Sequence, residues 1–267
     1  MQSRLELAAY LDRIGYTGTP SPELGVLREL HLRHMLTVPF ENLDIPLQRS
    51  IALDLERIYT KIVGQRRGGF CYEQNGLFAW ALRQIGFDVT MLSARVARSD
   101  GTYSPEFAHM LLLVRVGAER WIADVGFGDS FRQPLRLDLT GPQADFGLEY
   151  HVAQEEGEYF LRRREGEVLQ PKYAFKLQPR EFGDYASMCH FQQTSPESHF
   201  TRRLVCSLAT PTGRITLTDR SMLVTDGSNK TETPIATADE FETLLRQHFG
   251  FRLKGFRVPM PGRETAK

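Results

Sequence analysis

A cysteine placed directly after two glycines, in the run Arg66-Arg67-Gly68-Gly69-Phe70-Cys71-Tyr72-Glu73-Gln74-Asn75, has the setting of a nucleophile. The segment that follows is amphipathic, so Cys71 stands where a helix begins. A helix N-terminus carries partial positive charge and unpaired N–H groups, and both stabilise a thiolate. Gly68 and Gly69 carry no side chain, which predicts room for a second group close to the sulfur. A thiolate needs a base to take its proton and a third group to orient that base. His109 opens the run His-Met-Leu-Leu-Leu-Val, and Asp124 stands in Trp-Ile-Ala-Asp-Val-Gly-Phe-Gly. Both are polar residues at the ends of apolar, strand-like runs. Paired as an antiparallel hairpin, the two strands would make His109 and Asp124 cross-strand neighbours. The loop Val125-Gly126-Phe127-Gly128 offers backbone N–H groups to a phosphate or carbonyl. Read alone, its two glycines fit a plain strand-to-loop turn better.

Other polar residues compete less well. Cys189 and Cys206 have no glycine or helix-start context and read as buried, inert thiols. The three cysteines are widely spaced and form no CxxC pair, which argues against a zinc site or a disulfide framework and fits a reducing compartment. His31 and His34 share a helix face but have no evident third ligand, so they read as helix surface and core, with no metal. His190 and His199, flanking Thr194-Ser195-Pro196, are weaker alternative bases. Across 267 residues, 33 Lys and Arg balance 33 Asp and Glu, so bulk charge points to neither a nucleic-acid nor a membrane partner. The N-terminus lacks the apolar core of a signal peptide, and the longest apolar run, Met110–Val114, cannot span a bilayer. A cytoplasmic protein is expected.

The elements that must position these residues change character along the chain. Ser3 and Glu6 form a capping box before the stripe Leu7, Tyr10, Leu11 and Ile14, with Gly15 as a stop. Ser21-Pro22 opens a second helix running to about Thr37, with proline at its first position. Leu55, Ile58, Ile62 and Val63 mark a third, and a fourth runs from about Cys71 to Gly86. Strands are then predicted over 88–97, 107–116, 120–125, 150–154, 159–163 and 168–175. A helical segment near 180–190 follows, then strands over 202–209, 214–218 and 221–224. A last helix is capped by Thr237 and Glu240, and a frayed tail follows Val258. The order predicts an α+β protein: a helical bundle over 1–86 carrying the cysteine, a barrel-like β domain over 87–190 carrying the histidine and aspartate, and an α/β lid over 191–267.

Three blocks resemble the arylamine N-acetyltransferase family: Val38-Pro39-Phe40-Glu41-Asn42-Leu43-Asp44, Arg67-Gly68-Gly69-Phe70-Cys71-Tyr72-Glu73, and Asp124-Val125-Gly126-Phe127-Gly128, with His109 between the last two. Phe70, Tyr72 and Gln74 depart from the commonest form of the motif, at positions read as packing and pocket lining. The chain looks like a bacterial-type member, without the insertion of mammalian ones. The resemblance implies the same three-part fold, with a Cys71–His109–Asp124 triad shared with papain-like and transglutaminase-like enzymes. It also implies acetyl-CoA as an acyl donor and no permanently bound cofactor. Transfer to an arylamine or arylhydrazine would run by a ping-pong route through acetyl-cysteine. Phe40 and Val125–Gly128 are implied around the substrates. Glu41 and Arg67 are expected to pair and brace the cysteine loop. An amide synthase, or a cysteine hydrolase or transglutaminase-like enzyme, would use the same triad. The acceptor, the acyl-chain preference, the oligomeric state and any role of Cys189 and Cys206 lie beyond the sequence.

Overall fold

The computed structural model describes residues 5–253. The capping box expected at the start depends on Ser3, which lies outside them, as does the tail after Val258. Helix α1 (Leu7–Arg13) is followed by Gly15 in the left-handed region at φ 69°. Helix α2 (Leu24–Thr37) starts later than Ser21-Pro22 suggests, because Glu23 stays extended and its N–H is bound to the Ser21 carbonyl at 2.8 Å. His31 and His34 are both fully buried in it, so neither lies on the helix surface. Tyr10 donates to His34 Nδ1 at 2.8 Å, and His34 Nε2 donates to Gln74 Oε1 at 3.0 Å. A two-residue strand, β1 (Phe40–Glu41), follows.

Helix α3 (Leu55–Tyr59), capped by Asp54, runs on as a π turn over Thr60–Gly64. The apolar stripe read as one α-helix therefore crosses a change of pitch. The turn leaves the carbonyl of Lys61 to accept from Arg67 N–H at 3.1 Å and that of Ile62 to accept from Arg13 Nε at 2.9 Å. Helix α4 (Cys71–Ile85) begins at the cysteine and ends at Gly86, whose φ of 104° suits a residue without Cβ.

The strands β2 (Asp88–Val96), β3 (His109–Val116), β4 (Glu119–Ala123), β5 (Leu135–Arg136), β6 (Pro142–Asp145), β7 (Leu148–Glu155), β8 (Glu158–Glu165) and β9 (Val168–Arg180) form one antiparallel sheet in the order β5-β4-β3-β2-β9-β8-β7-β6. Its two edges are stitched by a side chain: Gln143 Oε1 accepts from Arg136 N–H at 2.8 Å, and Gln143 Nε2 donates to the Arg136 carbonyl at 2.9 Å. This amide substitutes for a ladder pair and nearly closes the barrel. The uninterrupted apolar run of β3 is explained by burial on both faces. Met110, Leu112 and Val114 join the helical core, while Leu111 and Leu113 fill the barrel interior.

The segment expected to be helical from Arg180 is first strand: β9 extends through Arg180, a 3₁₀ turn covers Phe182–Tyr185, and only then comes α5 (Ala186–Thr194). Arg202 is likewise not in a strand; it ends the short α6 (His199–Arg202). The strands β10 (Val205–Ala209), β11 (Gly213–Thr218), β12 (Ser221–Asp226) and β13 (Asn229–Pro234) form the second sheet, completed by β1 in the order β1-β10-β11-β12-β13. Helix α7 (Ala238–Phe249) buries Phe241, Leu245 and Phe249 beneath it, and Thr237 caps it by accepting from Glu240 N–H at 3.1 Å. No helix among the described residues is long and apolar enough to cross a membrane.

Candidate active site

The cysteine loop extends the second sheet beyond its β1 edge. Gly69 N–H donates to the Pro39 carbonyl at 3.3 Å and Glu41 N–H donates to the Gly69 carbonyl at 3.0 Å, so the loop lies along β1. The other side of β1 pairs with β10 of the second sheet. Phe40 and Glu41 thus connect the cysteine to the lid, and this gives the first two sequence blocks a common structural purpose. The glycines before Cys71 make room for protein, not for an incoming group at the sulfur. A Cβ on Gly68 would lie 1.8 Å from the Pro39 carbonyl oxygen, and one on Gly69 would lie 2.7 Å from the Glu73 Cβ. Gln74 is fully buried and also braces this loop, donating to the Gly69 carbonyl at 2.8 Å; it does not line the cleft.

Cys71 is only 3 % exposed and opens α4, with Glu73 Oε2 accepting from Phe70 N–H at 3.1 Å just ahead of it. The sulfur is therefore not surface-exposed. It lies at the floor of a cleft of about 900 Å³ that also reaches His109, Gly126, Phe127 and Gly128. Burial pushes the thiol well above its ordinary range, while backbone N–H groups of Met110 and Tyr72 directed at the sulfur pull the other way. A thiol held this way does not ionise alone and needs a base beside it.

His109 is the first residue of β3 and shares the barrel-interior face with Leu111. Phe107, expected within this strand, instead has a φ of 65° outside it. Asp124 lies one residue past the end of β4. The ladder pairs Leu112 with Ala123, so Asp124 falls opposite Leu111 and diagonal to His109. The side chains still meet: His109 Nε2 donates to Asp124 Oδ2 at 2.8 Å. This bond leaves Nδ1 as the nitrogen available to act as a base. The rings of Phe127 and Tyr173, 5.1 and 5.3 Å away by centroid, confine the imidazole.

Asp124 is fully buried, which alone would raise its pKa, yet His109, Asn75 and the Gly126 N–H together hold it below the usual carboxylate range. Asn75, one helical turn after Cys71, was not singled out from the sequence. Its Nδ2 donates to Asp124 Oδ1 at 3.0 Å and to the Met110 carbonyl at 2.6 Å, and its Oδ1 accepts from Val125 N–H at 3.0 Å. One amide thus ties the cysteine helix to both β3 and the aspartate loop. Its sequence signal is a wholly polar side chain on the face that α4 turns toward the barrel, four residues from the cysteine.

Phe40, Gly126, Phe127 and Gly128 line the cleft, whereas Val125 is packed in the helical core. Gly126 is required by contact: a Cβ there would lie 2.8 Å from Cys71 Cα. Gly128 combines a φ of 80° with the Phe40 ring 3.2 Å from where its Cβ would be. The opposite wall comes from Met188, Phe191, His199 and Phe200 and from Ser207, Arg214 and Thr216 of the second sheet. His199 reaches the cleft but has no carboxylate hydrogen bond among the described residues, and His190 does not line it. Cys189 and Cys206 are buried free thiols.

Arg67 and Glu41 pair at 2.8 Å, and they belong to a larger buried cluster. Asp44 accepts from Arg67 at 2.5 Å, and Lys61 reaches Asp44 and Glu73, both at 2.8 Å. Lys61, Asp44 and Glu73 were not assigned this role from the sequence; Lys61 lies in the π turn, where the α-helical periodicity breaks.

Comparison with known proteins places this geometry. The model of an N-acetyltransferase family matches residues 23–258. Arylamine N-acetyltransferase 2 of Mus musculus is 34% identical, over 97% of this chain and 98% of its own length. The solved arylamine N-acetyltransferase of Salmonella typhimurium superposes with a TM-score of 0.87 at 38% identity, covering 92% of this chain and 90% of its own. That of Mycobacterium marinum, solved in complex with CoA, superposes at 0.86 with 30% identity, covering 92% and 93% of the two chains. With a helical start, a nearly closed barrel, a strand-rich lid and a cysteine at their junction, the chain belongs to the arylamine N-acetyltransferase family of acyltransferases.

Proposed function

We propose that the cleft transfers an acetyl group from acetyl-CoA to an arylamine or arylhydrazine, through an acetyl-thioester on Cys71. The observation that carries this reading is that Cys71 and His109 line one cleft, with the imidazole anchored through Nε2 to the buried Asp124 carboxylate behind it. His109 Nδ1 takes the thiol proton, and Asp124 stabilises the imidazolium that results. The thiolate forms a bond to the thioester carbonyl carbon. The negative charge that develops on oxygen is met by N–H groups at the start of α4, and one such donor is worth about 3 kcal/mol in other systems. Collapse breaks the carbon–sulfur bond to CoA, whose thiolate leaves with the proton from His109. An amine then attacks the acetyl-cysteine, His109 removes the amine proton, and Cys71 is released. An arylamine is largely neutral at pH 7, so its lone pair is free to attack, whereas an alkylamine is mostly protonated. Three free cysteines accord with action in a reducing cytoplasm.

Intact mass after brief exposure to acetyl-CoA tests the reading. Gain of one acetyl group, absent in Cys71→Ala and discharged on adding an aromatic amine, is expected. Discharge by water at the same rate would make the chain a hydrolase, and an acetyl group retained by Cys71→Ala would remove the nucleophile.

The aromatic side chain beside His109 bears on the acceptor. Phe127 faces His109 and the cleft, so Phe127→Ala enlarges the space in which an aromatic ring would sit. Lost apolar contact of this kind costs roughly 1–3 kcal/mol, or 10- to 200-fold in kcat/KM. The fall should depend on the size of the arylamine and should be smaller for the first half-reaction with acetyl-CoA. An unchanged ranking of amines would reduce Phe127 to a packing residue.

A further inference from the structure

We infer that His31, on α2 and outside the proposed triad, is a positioning residue that clamps the loop 124–132 at both ends and so sets where Asp124 meets His109. Asp124 N–H donates to His31 Nε2 at 3.1 Å, and His31 Nδ1 bonds the Arg132 carbonyl at 3.0 Å. The roles are fixed by the partners. A backbone N–H can only donate and a carbonyl can only accept, so the imidazole is neutral, with its proton on Nδ1 and a lone pair on Nε2. Asp124 has just left the β4 ladder, whose last pair with β3 is Ala123 with Leu112, and its N–H would otherwise be an orphan in a fully buried site. His31 supplies the acceptor the ladder no longer offers.

The clamp reaches the reacting groups through the loop it holds. Gly126, Phe127, Gly128 and Asp129 line the cleft, and all lie between the two residues that His31 binds. The ring is held in turn. It stacks on Phe131 at 5.6 Å and 14° and meets the edge of Phe78 at 5.9 Å. Burial pushes the imidazole down to about 4, so at neutral pH it neither gives nor takes a proton, and its contribution is geometric. Protonated, it would oppose an N–H to the Asp124 N–H. Carboxylate placement decides how well the His109 imidazolium is stabilised, so the consequence should appear in the ionisation of Cys71.

Two substitutions separate the ends of the clamp. His31→Asn keeps a donor near Nδ1 for the Arg132 carbonyl and loses the acceptor for Asp124, while His31→Gln keeps an acceptor near Nε2 for the Asp124 N–H. In folded protein, His31→Asn should slow acetyl-enzyme formation at least tenfold and move the pH profile of Cys71 alkylation by iodoacetamide upward, with little change in KM for acetyl-CoA. His31→Gln should recover most of the rate and the parental profile. A His31→Asn variant with the parental rate and profile, or a His31→Gln variant equally impaired, would overturn the assignment. If His31→Asn does not fold, two-bond ¹H–¹⁵N correlations of the imidazoles in the unaltered protein decide: a proton on Nδ1 is required, and one on Nε2 refutes the clamp. The inference rests on the triad reading, and the two fail differently. Parent protein that never acquires an acetyl group sinks the triad, whereas a normally acetylating His31→Asn sinks only the clamp.

Discussion

Asp124→Asn is expected to slow acetyl-enzyme formation by about 10⁴-fold while leaving the fold in place. The reason lies in the direction of three hydrogen bonds. The carboxylate accepts from His109 Nε2 at 2.8 Å and from both Asn75 Nδ2 and Gly126 N–H at 3.0 Å. An amide has one acceptor and one donor face, and no water reaches this fully buried position to mend a mismatch. If its oxygen keeps Asn75 and Gly126, its NH₂ faces His109. The imidazole must then carry its proton on Nδ1, and the lone pair that would take the Cys71 proton is lost. If its oxygen faces His109, two donors oppose the NH₂ across the loop that holds the site. The first arrangement keeps two bonds and should prevail, which is why chemistry should fail before stability. Quenched-flow acetylation beside a thermal melt measures both. A rate within tenfold of the parent would show that Asp124 does not set the tautomer. Since the Asp124 carboxyl is held below its ordinary value of about 3.9, activity lost in the parent on acidification to pH 5 cannot come from protonating this group.

The candidate site was legible to the degree that each residue carried its own local signal. Cys71 combined a glycine pair with a helix start, and the helix does begin there. His109 and Asp124 were polar ends of apolar runs, and strand alternation put them close enough to bond, though diagonally. Asn75 and His31 carried no comparable signal. Each is a buried polar residue on a helix, and whether such a residue serves the core or the site is decided by what another part of the chain brings against it. The same limit applied to the fold. Five helices (α1 to α4 and α7) and the long strands were readable from periodicity and caps, but β1 has two residues and β13 (Asn-Lys-Thr-Glu-Thr-Pro) is exposed along its whole length. Neither offers an alternation to detect. The reach of β9 to Arg180 was missed because lysine, glutamine and proline interrupt its apolar pattern. Near-closure of the barrel uses the side chains of Gln143 and Asp145, neither of which carries a sequence mark.

Arg67→Ala should lose folded protein before it loses chemistry, with an expected cost of about 3–5 kcal/mol. Glu41, Asp44 and Glu73 are buried with Lys61 and Arg67, three carboxylates against two cations. Burial pushes the Asp44 carboxyl up, but Lys61 and Arg67 outweigh it and hold it low. Glu73 is raised, because burial there outweighs Lys61. Removing Arg67 leaves three buried carboxylates around a single ammonium. It also cuts the fork that ties the cysteine loop to β1 and to Asp44. Domain stabilities of roughly 5–15 kcal/mol leave little margin for such a loss. The pH dependence identifies the cause. Asp44 has a folded pKa below its unfolded one, so its contribution is present above about pH 4 and is lost as pH falls through the folded value. The variant lacks much of that contribution, so the gap between parent and variant should be widest near neutrality and shrink in acid. Arg67→Lys, which keeps the charge but not the fork, should fall between the two. Urea melts of all three proteins at pH 7 and at a pH well below about 4 measure this, and a gap that does not narrow in acid would assign the loss to packing, not to charge.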